Sequence, residues 1–132
     1  MSHNFIFIID RDIIKGNFLK YRLAASGFRN VSLFQSHDEC IYSIQKNQIP
    51  DFILAHTCIK GMTDLEFVYN IKTNFPGIKV IFFSESDDVT HITELYNAGA
   101  TDYILQRGEN QNWINELISN IRFIVKEEFL LK

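Results

Sequence analysis

The most constraining feature of this chain is a set of short, continuously apolar runs that alternate with longer segments of helical periodicity. Apolar runs without polar alternation predict strands that are buried on both faces, which requires a parallel sheet with helices on each side. Five runs have strand length: Phe5–Ile9, Val31–Phe34, Phe52–Ala55, Ile78–Phe83 and Tyr103–Leu105. Strict alternation over short connections predicts a single doubly wound α/β domain with right-handed crossovers.

Capping and helix-breaking residues delimit the five helical segments. Ser36 and Thr63 each precede a glutamate by three residues, the spacing of a capping box. We expect the third helix from about Thr63 to Asn74 and the last helix over about 111–131. The expected core-facing residues are, helix by helix, Ile14, Phe18, Leu19 and Leu23; Ile41 and Ile44; Phe67, Val68 and Ile71; Val89, Ile92 and Leu95; and Ile114, Leu117, Ile118, Ile121 and Val125.

Composition excludes several classes of protein. The 132 residues are 46% hydrophobic with a net charge of −3, which argues against intrinsic disorder and against direct nucleic-acid binding. The two cysteines, Cys40 and Cys58, lack metal-site spacing and predict small buried thiols in a reducing compartment. The apolar run at 5–9 is too short for a signal peptide or a membrane span, so we expect a cytoplasmic protein without membrane contact.

Polar residues follow the ends of four predicted strands. Ligands of open parallel sheets bind beyond the carboxyl ends of the strands, so a site is expected there. The residues are Asp10, Arg11 and Asp12; His56 and Thr57; Ser84, Glu85 and Ser86; and Gln106, Arg107 and Gly108.

Four blocks of sequence carry a family resemblance: "FIIDRD", "PDFILAH…GMTDLEF", "VIFFSES" and "NAGATDYIL". In these blocks and their spacing, the chain resembles the receiver domains of bacterial two-component response regulators over essentially its whole length. The resemblance implies a single receiver domain over 1–132 with a flavodoxin-like sheet of strand order 2-1-3-4-5. It also implies a role in phosphorelay signalling rather than catalysis. Family members accept a phosphoryl group on an aspartate at the strand ends, assisted by Mg²⁺.

Three residues match the family's pattern. Asp10 corresponds to the first acid of the pair that holds the metal. Ser84 corresponds to the hydroxyl that contacts the phosphoryl group, and Tyr103 corresponds to the switch aromatic. The resemblance therefore implies that the binding surface of the fourth helix, fifth strand and fifth helix is retained.

Three other positions depart from the pattern. Arg11 replaces the second acid, His56 replaces the phosphoacceptor aspartate, and Gln106 replaces the lysine that contacts the phosphoryl group. Mg²⁺ prefers clustered carboxylates, and exchanging two of them for a cation and an imidazole makes the local charge more positive. Repulsion between like charges a few ångströms apart costs about 1–4 kcal/mol at effective dielectric constants of about 20 to 80. We expect weak or lost Mg²⁺ binding and no phosphorylation at the usual position.

Two contacts are expected to fill this degenerate pocket, which comprises Asp10, Arg11, Asp12, His56, Ser84 and Gln106. Arg11 would pair with Asp10 or Asp12 in place of the metal. His56 would hydrogen-bond to Asp10 or to a backbone carbonyl. The domain would then act as a pseudo-receiver through protein–protein contact.

Alternatives remain open at the sequence level. Asp10 or Asp12 is a candidate phosphoacceptor with a divalent metal, and His56 itself is another. A transition-metal site of His56, Asp10 and Asp12 is a further candidate, although His37 and His91 belong to other parts of the chain. A nucleotide or flavin site ranks last because no glycine-rich phosphate loop is present.

The last helix has more apolar residues than one core-facing stripe needs. Exposed apolar patches usually mark contacts. Three interpretations stay open: an ordinary closing helix with an apolar end, a homodimer contact, or a connection to an output domain. The surplus residues are Phe123, Ile124, Phe129, Leu130 and Leu131.

Overall fold

The computed structural model describes residues 4–57, 61–108 and 111–131, which form one parallel sheet with helices on both faces. The strand order is β2-β1-β3-β4-β5, so the predicted doubly wound fold is confirmed. The strands are β1 (Phe5–Ile9), β2 (Asn30–Phe34), β3 (Phe52–His56), β4 (Lys79–Ser84) and β5 (Asp102–Leu105). The helices are α1 (Ile13–Ala25), α2 (His37–Gln45), α3 (Asp64–Asn74), α4 (Val89–Asn97) and α5 (Asn112–Leu130).

Two strands extend one residue further than their apolar runs. His56 pairs with Phe83 and is the last residue of β3. Ser84 pairs with Leu105 and is the last residue of β4. Both polar side chains therefore project from ordered strand ends, and their positions are fixed by the sheet.

The sheet is buried on both faces, as its unbroken apolar strands predict. Phe7 and Phe82 face α2, α3 and α4, whereas Ile8 and Phe83 face α1 and α5. All four side chains are at most 1% exposed. Alternate residues of each strand thus supply two separate cores.

The expected core face of α1 is partly wrong. Ile14 is 78% exposed and Phe18 is 42% exposed, whereas Leu19 and Leu23 are buried as predicted. The reason is Gly16, where a Cβ atom would lie 2.6 Å from Leu33 Cδ1. Because α1 approaches β2 at this glycine, its buried face runs through Gly16, Leu19 and Leu23, and the first turn is left at the surface.

Helix α4 also buries less than predicted. Leu95 is its one buried residue, Ile92 is half-buried, and Val89 is 74% exposed. Polar bonds supplement this small contact, because Asp88 caps the helix by accepting hydrogen bonds from the backbone of Thr90 and His91.

Helix α5 follows its predicted pattern. Its core stripe is buried up to Ile121, and Val125 is half-buried. Beyond that stripe, Phe123 is 64% exposed and Phe129 is 78% exposed. The surplus apolar side chains therefore lie mainly at the surface, apart from Ile124, which is half-buried.

One of the two predicted buried cysteines is confirmed. Cys40 is a fully buried free thiol, and burial raises its pKa above the usual value. Cys58 lies outside the described residues. Within the described ranges, no helix is both long and apolar enough to cross a membrane.

Candidate functional site

In the described part of the chain, the crevice at the carboxyl ends of β1, β3 and β4 contains one buried carboxylate. Asp10 follows β1 and is 6% exposed. Its Oδ1 accepts a hydrogen bond of 2.9 Å from the backbone N–H of Asp12. Burial raises the pKa of Asp10, while the Asp12 hydrogen bond and the nearby His56 oppose that rise. The environment therefore disfavours the charged form of this carboxyl group.

The second carboxylate of the acidic segment has a different task. Asp12 is the N-cap of α1, and its Oδ1 accepts hydrogen bonds of 3.0 and 3.1 Å from the backbone of Ile14 and Lys15. A side chain that caps a helix in this way satisfies backbone donors that the helix leaves unpaired. Asp12 is thus committed to the start of α1.

The expected ion pair of Arg11 is wrong. The side chain is exposed, and in the described part of the chain it makes no ion pair with either neighbouring aspartate. The backbone at this position is held from two sides, because Asp10 bonds to Asp12 N–H and the Arg11 carbonyl accepts a 3.2 Å hydrogen bond from Gln35 Nε2. This turn leaves the guanidinium at the surface instead of in the crevice.

His56 makes an aromatic contact instead of the expected hydrogen bond. Its half-buried ring packs edge-on against Phe83, with centroids 5.4 Å apart and an interplanar angle of 70°. Among the described residues, the ring has no hydrogen-bond partner, so the expected bond to Asp10 or a carbonyl is wrong. Phe83 in turn stacks on Trp113 of α5, with centroids 5.1 Å apart and an angle of 18°. We call His56, Phe83 and Trp113 the aromatic column.

Trp113 was not among the residues predicted from the sequence. It stands at the start of α5, outside the apolar stripe, and it is the only tryptophan of the chain. A single large aromatic beside a polar loop was the available signal. The other site residues were predicted because they follow the ends of strands. Trp113 lies on a helix, so that criterion does not select it.

Ser84 and Gln106 complete the crevice. Ser84 is 4% exposed, and its Oγ accepts a 3.0 Å hydrogen bond from the backbone of Ser86. The backbone of Gln106 donates a 2.7 Å hydrogen bond to the Ser84 carbonyl. The side-chain Oε1 of Gln106 is buried and has no hydrogen-bond partner among the described residues. A buried acceptor without a donor destabilises the folded state, so this oxygen is a candidate for hydrogen bonding to a ligand.

Tyr103 links β5 to the loop after β4. The ring is half-buried against the core beneath α3 and α4, and its hydroxyl donates a 2.7 Å hydrogen bond to the Ser86 carbonyl. Ser86 is therefore held by Ser84 through its N–H and by Tyr103 through its carbonyl. Ser84 and Tyr103, the hydroxyl and the aromatic residue that match the family pattern, thus both bind the loop after β4.

The surface of α4, β5 and α5 is cross-linked by Asp102. Its Oδ1 accepts a 3.0 Å hydrogen bond from Tyr96 Oη, and its Oδ2 accepts a 2.6 Å bond from Asn120 Nδ2. Burial and the bond to Asp102 raise the pKa of Tyr96 to about 12. Two exposed apolar side chains accompany this cross-link. Val89 lies on the same face of α4 as Tyr96, about two turns earlier, and Phe123 lies three residues after Asn120 on α5.

A second cluster, also missed from the sequence, joins the first turns of α2, α3 and α4. Asp64 Oδ1 lies 3.2 Å from His37 Nε2, and Asp64 Oδ2 lies 3.4 Å from His91 Nε2. His37 is fully buried and stacks on Phe67, with centroids 4.3 Å apart, while its Nδ1 has no partner among the described residues. Sequence reasoning had assigned these histidines to unrelated parts of the chain, but the fold brings them to one carboxylate.

Neither cluster has the arrangement of a metal site. Within the ranges that the structure describes, no three His, Cys, Asp or Glu side chains are placed to hold one ion. The transition-metal alternative needs His56, Asp10 and Asp12 together, whereas Asp12 is occupied at the start of α1.

Known proteins share both the sequence pattern and the fold. The response regulator receiver domain model matches residues 6–118. The DNA-binding transcriptional regulator NtrC of Salmonella typhimurium strain LT2 is 25% identical over 104 residues, which make up 79% of this chain but 22% of that protein. The chain thus spans about a fifth of that relative's length.

Solved structures agree on the fold. A CheY-like receiver domain protein from Methanospirillum hungatei JF-1 has a TM-score of 0.85 at 21% identity, covering 99% of this chain and 100% of that one. The chemotaxis response regulator CheY4 of Vibrio cholerae has a TM-score of 0.78 at 16% identity, covering 91% and 99%. With the family model matching most of its length, the chain belongs to the response regulator receiver domain family.

Proposed function

We propose that this receiver domain is not phosphorylated at the usual strand end and signals through protein–protein contact. The observation that carries the proposal is the environment of His56. At the end of β3, where relatives have an aspartate, an imidazole packs against Phe83 in an aromatic column. An acyl phosphate needs a carboxylate, and none projects from that strand end.

The donor set also fits Mg²⁺ poorly. Mg²⁺ requires near-octahedral oxygen ligands and is usually held by one or two carboxylates. Of the two acids that follow β1, Asp12 caps α1 and Asp10 is in surroundings that raise its pKa. We therefore propose weak Mg²⁺ binding and no role for a resident cofactor.

Phosphorylation of Asp10 or Asp12 is the competing function. Asp12 has a carboxylate already bonded to the first turn of α1, so reaction there would uncap the helix. Asp10 is buried, and a raised pKa means that less of the nucleophilic anion is present. Both features favour the proposal over this alternative.

Intact-mass measurement separates the two functions. The protein is incubated with a small acyl phosphate and Mg²⁺, alongside a receiver domain that is known to accept phosphate under the same conditions. We expect the reference domain to gain one phosphoryl group and this chain to gain none. A stoichiometric gain would overturn the proposal, and its loss in Asp10→Asn would assign the acceptor to Asp10.

The surface most suited to a protein partner is the face of α4, β5 and α5. Asp102 fixes Tyr96 and Asn120 in place, which makes the surface rigid before any partner arrives. Val89 and Phe123 add exposed apolar area at 74% and 64% exposure. A preordered apolar patch with a polar centre is suited to protein contact, because little side-chain entropy is lost on binding.

We propose that one partner of this face is a second copy of the chain, which would form a homodimer. No contact with nucleic acid or membrane is proposed, since a net charge of −3 disfavours binding to anionic partners such as these. A cytoplasmic location is part of the proposal and rests on the cysteine usage and the family.

A further inference from the structure

A cavity beside the crevice has the dimensions of a small-molecule site. It encloses about 390 Å³ between the first half of α1 and the start of α5. Small ligands commonly occupy clefts of about 300–1,000 Å³ with mainly apolar walls. The apolar walls here include Ile14, Phe18 and Trp113, and Phe83 also lines the cavity.

Two of these walls are otherwise unexplained. Ile14 and Phe18 are 78% and 42% exposed, although both are large apolar residues that the helical pattern placed in the core. Helix α1 turns them away from the sheet because it approaches β2 through Gly16. Their exposed surface therefore borders the cavity instead of filling the core.

The polar lining is rich in hydrogen-bond acceptors. Gln106 Oε1 is buried without a partner among the described residues, and Gln106 lines the cavity. The carboxylate of Asp10 also lines it, and its one hydrogen bond within the described residues comes from the backbone of Asp12. Among the described residues, Glu85 and Lys15 supply the rest of the charged lining, which leaves an excess of one carboxylate there. The cavity thus combines unused acceptors and negative charge with aromatic walls.

We infer that this cavity binds a small planar aromatic molecule that carries a cationic nitrogen group, of the amidine or amine class. Its ring would contact Phe18 and Trp113, and rotation of the Gln106 amide would bring Oε1, which lacks a donor, to its N–H groups. The charge of the group would be balanced by Glu85 and by Asp10, whose charged form a cation bound beside it would favour. Such a ligand satisfies the apolar walls and the unpaired acceptor together, whereas a carboxylate-bearing ligand would meet repulsion at the polar end.

The site is connected to the signalling crevice through Trp113. This residue lines the cavity and stacks on Phe83, whose other contact in the aromatic column is His56. A bound ring would therefore touch the same column that occupies the strand ends. The inference goes beyond the proposed function and does not depend on it, because the cavity binds or fails to bind regardless of phosphorylation.

Benzamidine is the probe, and the single indole N–H of Trp113 is the reporter. Because the chain has one tryptophan, an amide-correlation NMR spectrum contains one indole signal from the cavity wall. We expect a saturable shift of this signal with a Kd on the order of 1 mM, as befits a small, efficient ligand. Benzoate, which has the ring but the opposite charge, and acetamidine, which has no ring, should each bind at least about tenfold more weakly.

Substitutions at Gln106 give a test of sign. Gln106→Leu removes the unpaired acceptor and should weaken benzamidine binding about fivefold, whereas Gln106→Glu adds a carboxylate and should tighten it by a similar factor. Tyr21→Ala, an exposed change farther along α1 and outside the cavity, is the control and should leave the Kd unchanged. The backbone signals of each variant establish that it is folded.

Three results would overturn the inference. The first is the absence of a saturable indole shift at about ten times the expected Kd. The second is equal binding of benzoate and benzamidine, which would remove the charge argument. The third is identical affinity in the Gln106 variants, which would place the probe elsewhere on the surface.

Discussion

Replacing Asp64 with alanine tests whether the buried histidine cluster holds the first turns of α2, α3 and α4 together. The change removes the acceptor from His37, which is fully buried, and from His91, which is one-third exposed. His37 Nδ1 already lacks a partner among the described residues, so both nitrogens of that ring would then be unpaired. His91 can exchange its lost bond for water.

The magnitude follows from these differences in burial. A buried donor left unpaired costs about 1–3 kcal/mol, and loss of an acid from the first turn of a helix costs about 0.3–1 kcal/mol more. The exposed bond of His91 adds less than about 1 kcal/mol. We expect the free energy of unfolding to fall by about 2–4 kcal/mol, which for a chain of 132 residues lowers Tm by roughly 7–14 °C.

Urea and thermal denaturation followed by circular dichroism measure this loss. Asp38→Ala is the matched control, because Asp38 is an exposed acid in the first turn of α2 and loses only the interaction with the helix terminus. Asp64→Asn keeps one oxygen for His37 and should lose less than half as much stability as Asp64→Ala. If Asp64→Ala and Asp38→Ala were equally destabilised, the reasoning about the buried histidine would be refuted.

Three further predictions concern other parts of the chain. Asp10→Asn should stabilise the protein at neutral pH, because burial raises the pKa of Asp10 and folding then disfavours its charged form. In urea titrations at several pH values, this gain in stability should be absent below the unfolded-state pKa of Asp10 and should grow as the pH rises through its folded-state pKa, whereas exposed Asp87→Asn should show no such dependence. Gly99→Ala should cost about 1–3 kcal/mol in the same assay, since Gly99 has φ +116°. Phe123→Ser should lower the dimer fraction in analytical ultracentrifugation, and a wild-type chain that stays monomeric would exclude the homodimer.

Sequence patterns located the sheet well and the helix faces less well. The strands could be predicted because a run such as Phe5–Ile9 has no polar residue that could face water. The orientation of α1 could not, because the close approach at Gly16 depends on Leu33 of a neighbouring strand. A helical pattern gives the period of apolar residues but not the rotation of the helix against its sheet.

The site residues were likewise predictable only in part. His56 and Ser84 could be placed because strand ends follow from the apolar runs. The contact of His37 and His91 with Asp64 could not, since each pair is separated by 27 residues and meets only when three helices pack on one face. The expected Arg11 ion pair failed for a local reason, because neighbours in sequence need not face the same way.

The aromatic column offers a physical reason why the altered residues occur together. The proposed function places the imidazole of His56 where the family resemblance implies an aspartate. Phe83 and Trp113 form an apolar surface behind this ring, and Gln106 adds no cation to the crevice. Our proposal is therefore that packing organises the crevice instead of the charge of a metal and a phosphoryl group. Under the proposed function, an input to this domain must act on contacts, and the walls around Trp113 are where the structure exposes such contacts to solvent-borne molecules.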